Sequence, residues 1–85
     1  MIVPTFHPTT FNALNAEYIK AQVKHNGLTP ASPDMTNEQR LVVLVEEVGE
    51  VARAMTYDES SHDKLVKELI QVATMTCDWI EGIDQ

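Results

Sequence analysis

Three glutamates in a run of five, Glu46, Glu47 and Glu50, are followed one helical stretch later by Glu68 and Gln71. On a wheel of about 100° per residue, Glu50 stands about 40° and Glu47 about 100° from Glu46. The three carboxylates therefore share about a quarter of the helix circumference. Val51, Leu44, Met55, Val48, Leu41, Ala52 and Val45 fill the adjoining arc, so the acids border the apolar stripe. Like charges one turn apart cost ~0.2–0.5 kcal/mol in water, but about 4 kcal/mol per close pair at an effective dielectric near 20. A partly desolvated cluster of this kind calls for a cation. All-oxygen ligation selects Mg²⁺, Mn²⁺ or Ca²⁺.

Such chemistry needs two helices laid side by side. A Glu-x-x-Glu pair on one helix facing a Glu-x-x-acid pair on its antiparallel neighbour is how helical bundles cradle divalent ions. Thr36-Asn37-Glu38-Gln39 fits a capping box and predicts a helix over about 37–57 that carries the first pair. Asp58 to Ser61 is a short polar link, with Ser60 or Ser61 as the next cap, and a helix over about 62–81 carries Glu68 and Gln71, ended by Gly82. Gly49 is expected to let another backbone come close. Upstream, Phe11, Leu14, Tyr18, Ala21 and His25 recur at helical steps and predict a first helix over about 10–26, capped by Thr9 or Thr10 and terminated by Asn26-Gly27. Residues 1–8, with Pro4 and Pro8, read as an extended arm, and 9–85 as a single helical domain. With no strand signal, the fold class is all-α, three helices per chain completed as an oligomeric bundle.

Composition narrows the partners. The 85 residues carry six Lys+Arg against thirteen Asp+Glu, a net charge of −7, which argues against nucleic-acid polymers but not against a nucleotide arriving with a divalent ion. A chain this short with 44% apolar residues is expected to complete its core with further copies of itself, as a homodimer or homotetramer. The longest uninterrupted apolar run, Leu41 to Val45, is far too short for a membrane span, and the N-terminus lacks the pattern of a signal peptide, so the expectation is cytoplasmic. Cys77 reads as packing, as do Met55 and Met75, and Trp79 as core or subunit interface. Lys64, Lys67 and Arg53 lie close to the acids and offer phosphate contacts, with local ion pairs (Lys64 to Glu68, Arg53 to Glu50) as the plainer reading. His7, His25 and His62 have no metal-ligand spacing.

Leu44-Val45-Glu46-Glu47-Val48-Gly49-Glu50-Val51-Ala52-Arg53-Ala54, followed by Leu65-Val66-Lys67-Glu68-Leu69-Ile70-Gln71-Val72, resembles the MazG-like all-α nucleoside triphosphate pyrophosphohydrolases. Their signature is Glu-Glu-x-x-Glu and then Glu-x-x-Asp, and the resemblance spans about residues 11–81. This chain departs at the last position, where Gln71 stands for the family Asp. The resemblance implies a dimeric or tetrameric bundle that hydrolyses a nucleoside triphosphate to the monophosphate and pyrophosphate with Mg²⁺ or Mn²⁺. It carries over Glu47, Glu50 and Glu68 as metal ligands, with Gln71 in the fourth position. Glu46 would be a further ligand or hold the attacking water, which makes Glu46 and Glu47 the catalytic candidates. A neutral Gln71 offers an oxygen without charge. Asp78, two turns on, would replace it only for an ion or substrate seated lower. Two other outcomes are compatible with the residues. One is a MazG-like protein that binds nucleotide or metal without turnover, and the other is a helical oligomerisation module whose acids form a solvated face.

Overall fold

A computed structural model of the chain describes residues 5–56 and 61–84. It is all-α: α1 spans Pro8–Lys24, α2 Asn37–Thr56 and α3 His62–Ile83. The expected end of the second helix at 57, and Ser60 as a cap, lie outside the described residues.

Local chemistry fixes most of the helix ends. At α2, Gln39 N–H donates to Thr36 Oγ1 at 3.1 Å while Thr36 N–H donates to Gln39 Oε1 at 2.8 Å, the reciprocal capping box. At α3, Ser61 Oγ accepts from Lys64 N–H at 3.1 Å. Asn26 (φ 53°) and Gly27 (φ 81°) take left-handed conformations after α1, and Gly27 N–H donates to Gln22 O at 2.9 Å. Two boundaries differ from expectation. Pro8 opens α1 rather than closing an arm, because its missing N–H is no loss in a first turn and His7 Nδ1 caps Thr9 N–H at 3.1 Å. Neither Thr9 nor Thr10 is the cap. Gly82 does not end α3 but lies inside it, where the absence of a side chain is spatially required.

That requirement comes from the segment between α1 and α2. An ideal Cβ on Gly82 would lie 2.3 Å from Pro30 O and 2.6 Å from an Arg40 guanidinium nitrogen. Arg40 is buried and donates to Pro30 O (2.9 Å), Ser32 O (2.7 Å) and Asn37 Oδ1 (3.0 Å), so one cation pins residues 29–35 across the first turn of α2 and the end of α3. Asn37 Oδ1 also accepts from Trp79 Nε1 at 3.0 Å, which ties the half-buried indole to α2.

α3 is the common element. α2 packs along it, α1 packs on it elsewhere, and α1 and α2 do not pack on each other. Between α1 and α2 there is consequently a gap floored by α3. One chain buries little apolar side chain: Ala21, Ala31, Ala54 and Met75 among the described residues. Leu41, Val45, Val48, Ala52 and Met55 of α2 are all exposed, at alternating steps of four and three. On α3 the same alternation runs through Val66, Leu69, half-buried Ala73, Thr76, Ile80 and Ile83. Evenly stepped apolar seams of this kind are what helices bury against other helices. The expected packing roles of Met55 and Cys77 are therefore not met within one chain, since both are exposed, whereas Met75 is buried. Phe11 and His25, expected on the packed stripe of α1, are exposed as well. Nothing lies within 4 Å of a Cβ built on Gly49, so the close approach expected there is not made within the chain.

Candidate functional site

The gap between α1 and α2 is a cavity of about 350 Å³. Val43, Glu46 and Glu47 of α2, Gln71 and Met75 of α3, and Glu17, Lys20, Ala21 and Lys24 of α1 form its walls, and Leu28 to Pro30 close one end. α2 brings Glu47 to the half-buried edge of its apolar face, while Glu46 and Glu50 are exposed. This is the border position that the wheel assigns to the acids.

Glu47 is the electrostatic centre. Its carboxyl is raised above the ordinary carboxylate range, first by burial, then by Glu68, Glu50, Glu17 and Glu46 in that order. Glu68 being the strongest of these charges means that the acids of α2 and α3 meet across the helix pair. Gln71 stands where they meet. An amide presents nitrogen or oxygen to the same point according to how it is turned. Turned with Nε2 toward the acids, it donates to Glu47 Oε2 at 2.8 Å and to Glu68 Oε2 at 3.3 Å; turned the other way, its Oε1 faces those same acceptors.

The oxygen donors at this junction suit a hard divalent cation, and the upward push on Glu47 is a deficit of positive charge that such an ion would relieve. Glu47 and Glu68 converge on Gln71, which would have to turn its carbonyl toward them to serve as a third oxygen donor. Glu50 and Glu68 act on Glu47 as nearby charges, and neither lines the cavity. Among the described residues, no three His, Cys, Asp or Glu side chains are grouped closely enough to hold a metal ion by themselves. The amide of Gln71 occupies the point at which a third acid would stand.

The basic candidates are distributed differently from expectation. Lys67 lines a separate shallow groove with Asp63, Ile70, Glu17 and Lys20. Arg53 lines another with Gly49, Ala52 and Thr56. Lys64, in the first turn of α3, does not line the acidic cavity, and both Lys64 and Arg53 have interactions of their own. The cations that do line it are Lys20 and Lys24, one helical turn apart on α1, with His25 beside them. Glu17 is a further residue that pattern-reading missed. Its spacing carries no acidic motif, and only the crossing of α1 over α3 brings it to Glu47.

Asp78, considered as a substitute for Gln71, faces elsewhere. It is buried at the α1–α3 seam and lines a second cavity with Phe11, Tyr18 and Glu81. Asn15 and Cys77 also border that cavity. No helix among the described residues is long and apolar enough to cross a membrane. Comparison with family models, with curated proteins and with solved structures gave no match.

Proposed function

We propose that this chain is a MazG-like nucleotide pyrophosphohydrolase, hydrolysing a (d)NTP or related nucleotide to its monophosphate and pyrophosphate with Mg²⁺ or Mn²⁺. The observation that carries the reading is the position of Glu47, half-buried in a cavity wall and pushed upward first by that burial and then by four other carboxylates, with Lys20 and Lys24 on the opposite wall. Glu47, Glu68 and Gln71 Oε1 would hold the ion, with Glu50 adding charge. A bound divalent ion supplies neutralisation of phosphate oxygens and a more acidic water. Glu46, exposed at the cavity wall, would hold a water and take its proton as the water oxygen attacks the α-phosphorus. The α–β phosphoanhydride bond then breaks and pyrophosphate leaves. Lys20 and Lys24, rather than Lys64, Lys67 and Arg53, draw the phosphates toward the acids. The stepped apolar seams of α2 and α3 support a homo-oligomer as the working form, built from two or four copies.

Pyrophosphate release from a panel of (d)NTPs with Mg²⁺ or Mn²⁺ tests the reading. Glu47→Gln is expected to lower the rate by about 10²-fold or more, and Glu50→Gln to lower it less. Unchanged rates in both variants would remove the proposed site.

One observation favours a second reading. Gln71 Nε2 within 2.8 Å of Glu47 and 3.3 Å of Glu68 satisfies both acids without a cation, as suits a protein that binds nucleotide but turns it over poorly. That reading predicts nucleotide binding without pyrophosphate release, and a gain in divalent-ion affinity in Gln71→Asp.

A further inference from the structure

The second cavity, about 450 Å³, lies where the first half of α1 crosses the second half of α3. Phe6, Phe11, Leu14 and Tyr18 form one side, and Thr74, Asp78 and Glu81 the other. Asp78 is 1% exposed, and its Oδ2 accepts no hydrogen bond. A buried carboxylate oxygen without a donor is costly, and native proteins leave few of them. Among the described residues, no Lys, Arg or His lines this cavity. Glu81 on the same helix and Glu17 on α1 add negative charge to that of Asp78.

The walls define the missing partner. Anions are repelled by the acids. A hard metal ion wants several oxygens and its own waters, and here much of the wall is aromatic ring. An organic cation with a flat apolar body meets every surface, since ring faces attract cations and a carboxylate pairs with a planar N–H edge. The volume lies within the range of about 300–1,000 Å³ that small-molecule pockets occupy. Phe6 (68% exposed) and Phe11 (54%) have ring area left to cover such a ligand.

We propose that the Asp78 cavity binds a small planar organic cation of the amidinium or aminopyridinium class, its ring between Phe11 and Tyr18 and its N–H edge on the Asp78 carboxylate, which turns from the seam toward the cavity to meet it. This site is independent of the Glu47 cavity and of the reaction proposed there. The test is a titration of the full chain at pH 7.5 with benzamidine and with its neutral isostere benzamide, followed by calorimetry and by amide chemical shifts. Benzamidine is expected to bind at least about ten-fold more tightly than benzamide, with shifts concentrated around Phe11, Tyr18 and Asp78. Asp78→Asn is expected to abolish the difference between the two probes. Glu47→Gln should leave it intact. Phe11→Ala, at an exposed ring whose loss leaves the core alone, is expected to weaken benzamidine several-fold and decides the matter if Asp78→Asn does not fold. Equal binding of the two probes, no binding at millimolar benzamidine, discrimination that survives in Asp78→Asn, or undiminished benzamidine binding in Phe11→Ala would overturn the proposal.

Discussion

Two carboxyls on the flanks of one helix crossing, half-buried Glu47 and fully buried Asp78, have opposite surroundings. Glu47 faces a cavity with two lysines on the far wall and an amide able to donate to it. Asp78 faces a cavity of rings, with no cation in its lining among the described residues and no donor on Oδ2. Both carboxyls are raised, with burial the first cause in each case, and Asp78 reaches about 6. Glu47 is pushed first by burial and then by the acids of its own cluster, and the second contribution is what a bound cation would reverse. Asp78 is pushed by burial in a mostly apolar seam, with Glu81 and Glu17 behind. The same direction of shift thus marks two different things, a charge cluster in one place and an unmet partner in the other.

The largest expected effect comes from separating the two regions mechanically. Gly82→Ala would place a methyl group against Pro30 O and the Arg40 guanidinium, both held by buried hydrogen bonds. The segment that closes the Glu47 cavity must then move, while the rings around Asp78 stay on α1. We expect a loss of about 3 kcal/mol in stability, read by chemical denaturation, because backbone and a buried cation are hard to displace. If the variant retains the wild-type midpoint, Arg40 is not the pin that holds residues 29–35.

Asp78→Asn tests the other side. A carboxyl with a folded-state pKa of about 6, against an ordinary 3.8, binds its proton more tightly folded than unfolded. Its proton-linked stabilisation is fully present below the unfolded value and is lost as pH rises through the folded one. Wild-type stability should therefore fall relative to Asp78→Asn between about pH 4 and about pH 6 and then level off, by about 3 kcal/mol in all. Melting temperatures of both proteins across that range provide the check. Parallel curves would mean that Asp78 finds a partner in solution.

Gln71→Glu should have a smaller effect and one that depends on ions. The change removes the donor to Glu47 and Glu68 and adds a fifth acid close to Glu47. Without divalent ions we expect a loss of about 1–2 kcal/mol. With Mg²⁺ or Mn²⁺ the melting temperature should recover and exceed that of wild type under the same ions, since a ligand at 100 times its Kd stabilises by about 2.7 kcal/mol. A loss that no divalent ion repairs would leave the amide as a structural bridge only.

What pattern-reading supplied, and what it did not, follows from the range of the interactions. The Thr36–Gln39 box, the Ser61 cap and the Asn26-Gly27 terminator are contacts within a few residues, and the structure has them as expected. Glu47, Glu68 and Gln71 were also within reach, because a short link after α2 returns α3 alongside it. Lys20, Lys24 and Glu17 were not, since their relation to Glu47 depends on the angle at which α1 crosses α3. Arg40 and Gly82 belong to a network closed by backbone carbonyls of a proline-rich segment, which has no periodicity to read. Asp78 is within about 20° of Gln71 on the wheel, but its side chain lies at the α1–α3 seam and lines the other cavity.

Glu17 links the two cavities and provides the finest test of their difference. It acts on Glu47 and on Asp78, in each case behind stronger causes. Glu17→Gln removes one negative charge near both while keeping the side-chain shape, so both folded-state pKa values should fall, each by less than about one unit. Carboxyl carbon titrations by NMR would resolve the two groups separately. Divalent ions add a second dimension to the measurement. Saturating Mn²⁺ replaced by diamagnetic Mg²⁺ should depress the Glu47 titration strongly and leave that of Asp78 nearly in place, because only the first cavity offers converging oxygens to a hard cation. A single downward shift shared equally by both groups would mean that one field, rather than two distinct sites, accounts for the acids on either side of α1.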